Sequence, residues 1–127
     1  MKQIIHAPKA PTAIGTYSHA IKVDNHIYVS GQIPLNPETM VLVEGDINAE
    51  IRQVLDNLGA IITAAGGHFS DVVKLTVYLT DLLHYTQVNE IMMTYFKLPY
   101  PARTLVQVSA LPKGARVEID AIMVLHG

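Results

Sequence analysis

The sequence predicts an α+β fold in which a mixed β-sheet carries two helices packed on one face. Alternating apolar and polar residues indicate strands, whereas two other segments space their apolar residues as an amphipathic helix does. The predicted order of elements is β-β-β-α-β-α-β-β. A chain of 127 residues can bury a core of its own, so we expect a single domain spanning residues 1–127.

Three strand candidates lie in the N-terminal third of the chain. A short strand is predicted at residues 2–6, and a hairpin at residues 20–23 and 26–30. Asp24 and Asn25 join the hairpin strands, and both residue types tolerate the left-handed backbone of a two-residue turn.

Glycines mark two loops beside these strands. Gly15 permits a tight turn before Tyr17, whose ring either anchors the loop in the core or presents its hydroxyl. Ser30-Gly31 is expected to end the hairpin, where the missing Cβ of Gly31 either terminates the strand or lets a ligand approach. The apolar residues 40–43 are a candidate edge strand.

The first helix is predicted from residue 47 to residue 65, where apolar residues form one stripe. Asp46 is its expected N-cap, and Gly66-Gly67 is its stop signal. The opposite, polar face is expected to carry Arg52, Asn57 and Thr63.

A strand and a second helix follow. Residues 72–80 alternate and are rich in β-branched side chains, which predicts a strand. The second helix is predicted at residues 86–96, and Leu98-Pro99 ends it because proline cannot donate the next helical hydrogen bond.

The C-terminal stretch predicts a second β-hairpin. Two alternating segments, residues 103–108 and 117–123, flank a Leu-Pro-Lys-Gly turn. If they pair, Arg103 shares the outer face of the hairpin with Glu118 and Asp120. Such residues are commonly a solvated ion pair worth well under about 1 kcal/mol. The alternative interpretation is an arginine clamp for an anion.

The composition argues against several functional classes. Without cysteine, the chain has no disulfide, thiolate zinc site or cysteine nucleophile. Its six histidines form no His-x-His or His-x-x-x-His pair, so no metal site is predicted. No serine lies in a Gly-x-Ser-x-Gly elbow. A net charge of −2 without a basic stripe does not indicate a nucleic-acid partner.

The apolar content indicates self-association rather than a membrane. The N-terminus lacks the apolar segment of a signal peptide and no apolar run could span a bilayer, so we expect a cytoplasmic protein. Helices on one sheet face leave the other face uncovered, and we expect Tyr78, Leu105 and Ile122 on that face. Since 50% of the residues are apolar, another subunit is the natural cover.

Motifs along nearly the whole chain point to one family. They are Ile14-Gly-Thr-Tyr-Ser18, Val29-Ser-Gly-Gln-Ile-Pro34, Asn57, Asp71-Val-Val-Lys-Leu-Thr-Val-Tyr78, Pro101-Ala-Arg-Thr104 and Val117-Glu-Ile119. In this order and spacing they resemble the RidA family of reactive intermediate deaminases, also called YjgF-like proteins. The resemblance implies a chorismate-mutase-like fold and a homotrimer with ligand sites between neighbouring subunits.

The resemblance also implies a reaction. Members of this family hydrolyse reactive 2-imino or enamino acids, such as 2-iminopropanoate and 2-iminobutanoate, to 2-oxo acids and ammonia. Arg103 would bind the substrate carboxylate and Glu118 would activate water. No cofactor is required, because an iminium carbon is already electrophilic. The resemblance places these further residues in the substrate pocket: Tyr17, Ser30, Gly31, Tyr85, Asn89 and Leu105.

Two positions depart from the family pattern. Thr16 stands where a proline is common, which makes the loop before Tyr17 less rigid. Leu105 stands where a cysteine is common, which changes the pocket lining and excludes a thiol-based role.

Two alternative functions stay open. One is a regulatory trimer that binds small carboxylates at Arg103 without turnover. The other is an endoribonuclease or translation inhibitor, an activity attributed to some relatives. The negative net charge disfavours this second alternative.

Overall fold

The computed structural model describes residues 1–126 and has the predicted order of elements. The strands and α-helices are β1 Gln3–Ile5, β2 Ala20–Val23, β3 His26–Gln32, α1 Ile47–Ala64, β4 Val72–Leu79, α2 Tyr85–Met92, β5 Ala102–Gln107 and β6 Val117–Val124. All six strands form one sheet in the order β1-β2-β3-β6-β4-β5, in which only β4 and β5 pair in parallel. The predicted mixed sheet and α+β class are therefore confirmed.

The core lies between α1 and one face of the sheet. The α1 stripe predicted from helical spacing is buried, and Asp46 caps the helix by accepting a 3.0 Å hydrogen bond from the backbone N–H of Ala49. Fully buried side chains of this core include Ile27, Ile51, Leu55, Leu58, Ile61, Val77, Ile119 and Met123. Within residues 1–126, no helix combines the length and apolar character that crossing a membrane requires.

The N-terminal hairpin forms as predicted, but its second strand is longer than expected. Val23 pairs with His26 around a turn in which Asp24 has a left-handed φ of 53°. β3 does not end at Ser30-Gly31, because it continues through a β-bulge to Gln32. The bulge keeps the strand paired with β6 while inserting one extra residue.

The predicted C-terminal hairpin is wrong. β6 pairs antiparallel with both β3 and β4, whereas β5 pairs in parallel with the outer edge of β4. Both hydrogen-bonding edges of β6 are occupied, so α2 carries the chain across to the remaining edge of β4. Alternation in the sequence correctly marks the two strands but does not specify their partners.

This register also changes which side chains share a face. Arg103 is opposite Leu75, a buried residue on the face that the helices cover. Glu118 is opposite Tyr78, and Asp120 lies two residues along on the same open face. The expectation that Arg103 shares a face with the two carboxylates is therefore wrong.

The open face of the sheet differs from the prediction at one residue. Tyr78 and Ile122 lie on it, half-buried, together with the exposed ring of Tyr28. Leu105 does not, because it is opposite the buried Val77 and packs against the edge of the core. Val106, which pairs with Tyr78, lies on the open face and is exposed.

Helix α2 is shorter than its apolar pattern predicts. It spans Tyr85–Met92 rather than residues 86–96. Both the hydroxyl and the backbone N–H of Thr94 donate to the carbonyl of Ile91, at 2.6 and 2.9 Å. These hydrogen bonds tighten the last turn, so the chain leaves the helix before Leu98-Pro99.

The loop after β3 is held by a polar residue of α1. Residues 40–43 form no edge strand, and the loop contains only an isolated bridge between Leu35 and Leu42. Asn57, predicted on the polar face of α1, is instead 1% exposed. Its amide nitrogen donates to the carbonyls of Ile33 and Leu35, at 3.2 and 2.9 Å. Asn57 is therefore buried because it satisfies backbone carbonyls of the loop.

We expect Asn57→Asp to lower the free energy of unfolding by about 3 kcal/mol, because a buried carboxylate would face two carbonyl oxygens without a proton to donate. Urea denaturation with an unchanged m-value would measure the loss. Asp56→Asn, on the exposed neighbouring position, is the control and should cost less than about 1 kcal/mol. Equal stability of the two variants would contradict the role of Asn57.

Candidate functional site

Six of the eight predicted site residues line two cavities, whereas Tyr85 and Leu105 line neither. The first, the Arg103 cavity, has a volume of about 370 Å³ and is lined by Leu75, Asn89, Met92, Met93, Phe96, Tyr100, Pro101 and Arg103. The second, the Glu118 cavity, has a volume of about 550 Å³. Its lining includes Tyr17, Ser30, Gly31 and Glu118 among the predicted residues. Because the side chains of Arg103 and Glu118 leave opposite faces of the sheet, one chain does not bring the two together.

The guanidinium of Arg103 is held by helix α2. Its Nη1 donates to Asn89 Oδ1 at 2.7 Å and lies 3.6 Å from Met92 Sδ. Its Cζ lies 5.6 Å from the ring centroid of Tyr85, at cation–π distance. Tyr85 and Asn89 are four residues apart on α2, so one helix face presents both to the arginine.

The charge of Arg103 has no carboxylate partner. Within residues 1–126, its guanidinium forms no salt bridge, and its Nε and Nη2 donate no hydrogen bond. The hydrogen bond from Asn89 and the positive charge of Arg103 lower the pKa of the Tyr85 hydroxyl. The half-buried arginine therefore keeps free donors for an anion, and most of its cavity wall is apolar.

The Glu118 cavity depends on the bulge in β3. Between Val29 and Gln32 the pairing with β6 shifts by one residue, which brings Gly31 against the Glu118 side chain. A Cβ at Gly31 would overlap the carboxylate, so any larger residue there would force the Glu118 side chain to move. The group that lies closest to Gly31 is therefore the Glu118 side chain, and the strand does not terminate at this glycine.

The hydroxyl of Ser30 is already engaged. It donates to the carbonyl of Ser18 at 2.6 Å, which ties the bulge to the loop that carries Tyr17. Tyr17 is 51% exposed, and its hydroxyl accepts only a long 3.4 Å hydrogen bond from the N–H of Ile14. Ser30 therefore holds the wall of the cavity, while the ring of Tyr17 remains available at its mouth.

Glu118 has an unusual carboxyl group. Burial raises its pKa, and the neighbouring carboxylate of Asp120 raises the pKa further. Asp120 in turn accepts a 3.2 Å hydrogen bond from the hydroxyl of Tyr78, whose pKa is raised chiefly by burial and also by Asp120. A carboxyl group with a raised pKa exchanges protons closer to neutral pH, which suits a general base.

Four polar residues of the Glu118 cavity were not predicted as site residues: Thr12, His19, Gln32 and Lys113. His19 was considered only as a metal ligand, and no sequence signal indicated its contacts with the N-terminal segment. Lys113 belongs to the Leu-Pro-Lys-Gly turn, where its left-handed φ of 59° places it at the cavity. A non-glycine residue in that conformation is uncommon, but the sequence does not reveal it. Within residues 1–126, no cluster of three or more histidine, aspartate or glutamate side chains could hold a metal ion.

Comparisons with known proteins agree along the whole chain. The family model described as Endoribonuclease L-PSP matches residues 7–125. A Mus musculus protein named 2-iminobutanoate/2-iminopropanoate deaminase is 51% identical over 124 residues, covering 98% of this chain and 92% of the mouse protein. Protein DfrA of Myxococcus xanthus is 50% identical over 125 residues, covering 97% of this chain and 95% of that protein.

Solved structures are similar over the same length. The crystal structure of RidA from the Antarctic bacterium Psychrobacter sp. has a TM-score of 0.93 and 51% identity, covering 97% of this chain and 99% of that chain. Solved structures of this group match the mixed sheet with its two helices, so the chorismate-mutase-like fold implied by the resemblance is confirmed.

Replacing Asp120 should change the protonation of Glu118. In Asp120→Asn we expect the pKa of Glu118 to fall towards its ordinary value but to stay above it, because burial, the larger cause, is unchanged. A pH titration of the labelled glutamate carboxyl carbons by NMR would measure this shift. Asp24→Asn, in the turn between β2 and β3, is the control and should leave Glu118 unaffected. An unchanged pKa in Asp120→Asn would rule out the electrostatic coupling.

Proposed function

Because the chain belongs to the Endoribonuclease L-PSP family, which includes the YjgF and Rid proteins, we propose that it is an imine deaminase. Its substrates would be reactive 2-imino or enamino acids such as 2-iminopropanoate and 2-iminobutanoate, and its products 2-oxo acids and ammonia. Relatives that carry the name of this activity support the assignment at about half identity. The observation that carries the proposal is the unpaired guanidinium of Arg103 in a largely apolar cavity.

Arg103 would bind the substrate carboxylate. A guanidinium offers five N–H donors in a planar fork, and among residues 1–126 only Nη1 of Arg103 has hydrogen-bond partners. Asn89 and Tyr85 fix the guanidinium from α2, so little side-chain freedom would be lost when the carboxylate binds. The apolar remainder of the cavity suits the short alkyl group of such a substrate.

Glu118 would manage the protons of the hydrolysis. Its carboxylate takes a proton from water as the water oxygen attacks the carbon of the protonated imine, which gives a neutral carbinolamine. The same carboxyl group then returns this proton to the amino nitrogen. As the C–N bond breaks, the carboxylate takes the hydroxyl proton, the carbonyl forms and ammonia leaves, and the proton left on Glu118 passes to solvent. The raised pKa of Glu118 favours these transfers near neutral pH.

Such a reaction requires Arg103 and Glu118 on one substrate, although they leave opposite faces of their own sheet. We therefore infer a homotrimer in which Arg103 of one subunit and Glu118 of the next share each site. The exposed Tyr28 on the open face and the exposed Met93 and Tyr100 at the Arg103 cavity are apolar surfaces that a neighbour would cover.

The reaction is tested by supplying a freshly generated imino acid from a serine or threonine dehydratase. Semicarbazide traps the imine that remains, so a deaminase lowers the trapped fraction. Binding of a 2-oxo acid without any loss of trapped imine would instead identify a non-catalytic carboxylate-binding protein. Cleavage of RNA by nuclease-free protein, sensitive to Arg103→Lys, would support the activity in the family's description instead.

Two substitutions should separate binding from chemistry. Arg103→Lys keeps the charge but loses the planar fork, so we expect kcat/KM to fall by at least about a hundredfold. Glu118→Gln keeps the shape but cannot take a proton, so kcat should fall by about a hundredfold while 2-oxo acid binding is largely retained. Unchanged melting temperatures are the control. Full activity of Arg103→Lys would make Arg103 a surface charge without a catalytic role.

Subunit mixing tests whether the site is shared. Co-expressed Arg103→Lys and Glu118→Gln chains should recover about a quarter of the wild-type activity, because random trimers would pair an intact Arg103 with an intact Glu118 at that fraction of interfaces. Trimers of either variant alone are the control. Light scattering should give about three times the chain mass of 13.9 kDa. No recovery in mixed trimers would place both residues in the same chain's site.

A further inference from the structure

His19 is a buried histidine with both ring nitrogens engaged. It is 3% exposed and lines the Glu118 cavity. Its Nδ1 accepts a 3.0 Å hydrogen bond from the backbone N–H of Ala7, and its Nε2 donates to the backbone carbonyl of Pro11 at 2.7 Å. A backbone N–H can only donate and a carbonyl can only accept, so these partners require the neutral imidazole with its proton on Nε2.

These two contacts hold both ends of the segment Ala7–Pro11, which we call the strap. Ala7 and Ala10 are 1% and 4% exposed, and the N–H of Ala10 donates to the carbonyl of Ala7 at 3.1 Å. The strap is thus a closed turn that packs on the core. Within residues 1–126, it has no β-ladder partner and the His19 ring supplies the side-chain hydrogen bonds to it.

The strap continues directly into the wall of the Glu118 cavity. Pro11, Thr12, Ile14 and Tyr17 all line that cavity. His19 also contacts β3, because its backbone carbonyl accepts a 3.0 Å hydrogen bond from the N–H of Ser30 in the bulge. His19 therefore connects the loop that carries Tyr17 to the β3 bulge, which contacts the carboxylate of Glu118.

We propose that His19 is a positioning residue that holds the Tyr17 wall for ligand binding only while its imidazole is neutral. This inference rests on the proposed function for the identity of the ligand, a 2-imino acid or its 2-oxo acid product. Protonation of Nδ1 would turn the acceptor into a donor that faces the N–H of Ala7, so the hydrogen bond would be lost. The strap would then loosen, and the substrate would bind more weakly in acid.

We call the two hydrogen bonds between the His19 ring and the strap the clamp. Other titratable groups lie near it, and the test must distinguish their effects from those of His19. The ring of His6 is exposed and lies 5.5 Å from the His19 ring, centroid to centroid. Glu118 and Lys113 line the same cavity. A substitution confined to His19 leaves His6, Lys113 and Glu118 in place. Their effect on the pH dependence of KM is therefore the same in the wild type and in the variant.

The test compares His19→Gln with His19→Leu. Glutamine offers one acceptor and one donor but does not titrate, whereas leucine fills similar space without hydrogen bonds. At about pH 7.5 we expect KM for the imino acid, and Kd for a 2-oxo acid, to rise about tenfold in His19→Leu. kcat should stay within about twofold of wild type, and His19→Gln should bind within about threefold.

Acidification supplies the readout that a purely structural histidine would not change. On acidification, KM of the wild type should rise more steeply than KM of His19→Gln, because only the wild type has an imidazole whose protonation would break the hydrogen bond from Ala7. His6→Gln should retain the wild-type slope. Parallel pH profiles for wild type and His19→Gln would overturn the requirement for a neutral ring.

Hydrogen exchange at the Ala7 amide tests the clamp without using turnover. The protection factor should be high in wild type and His19→Gln at about pH 7.5, and should fall in His19→Leu and in acidified wild type. Equal protection in His19→Leu would overturn the clamp. If His19→Leu does not fold, wild type and His19→Gln in acid decide the question. If no imino acid is hydrolysed but the protection pattern holds, the proposed function fails and the clamp stands.

Discussion

The antiparallel pairing of β6 with both β3 and β4 is the constraint on which the site depends. Because both edges of β6 are occupied, β5 is displaced to the outer edge of β4 and brings Arg103 beside helix α2. The same pairing sets Glu118 on the open face, against the bulge in β3 that contains Gly31. One pattern of strand pairing therefore places the cation, the carboxylate and the glycine.

Separating the two charged groups preserves the chemistry of each. A guanidinium beside Glu118 would hold the pKa of that carboxyl group down and form an ion pair that binds no substrate. In this fold, burial and Asp120 raise the pKa of Glu118 instead, while Arg103 keeps unpaired donors. Under the proposed assembly, a neighbouring subunit would bring the two groups to one substrate.

Buried polar side chains, rather than strands, position the loops around the Glu118 cavity. Asn57 donates to the carbonyls of Ile33 and Leu35 on one side, and His19 holds the strap on the other. Each hydrogen-bonds backbone groups of its loop, so each loop has a defined conformation without joining the sheet. Such loops on a rigid scaffold are where binding residues commonly lie.

Features that depend on neighbours along the chain can be predicted from the sequence alone. The order of elements, the Asp46 cap, the Asp24 turn and the buried stripe of α1 were predicted, because periodicity and local hydrogen bonds specify them. The candidate site residues came from motifs that resemble one family, and the comparisons show that family. Which strands are neighbours depends on long-range packing, and this pairing places Arg103 and Glu118 on opposite faces. Alternation along a strand shows which residues share a face but not which strand lies beside it. The carbonyls to which Asn57 donates are likewise remote, 22 and 24 residues away in sequence.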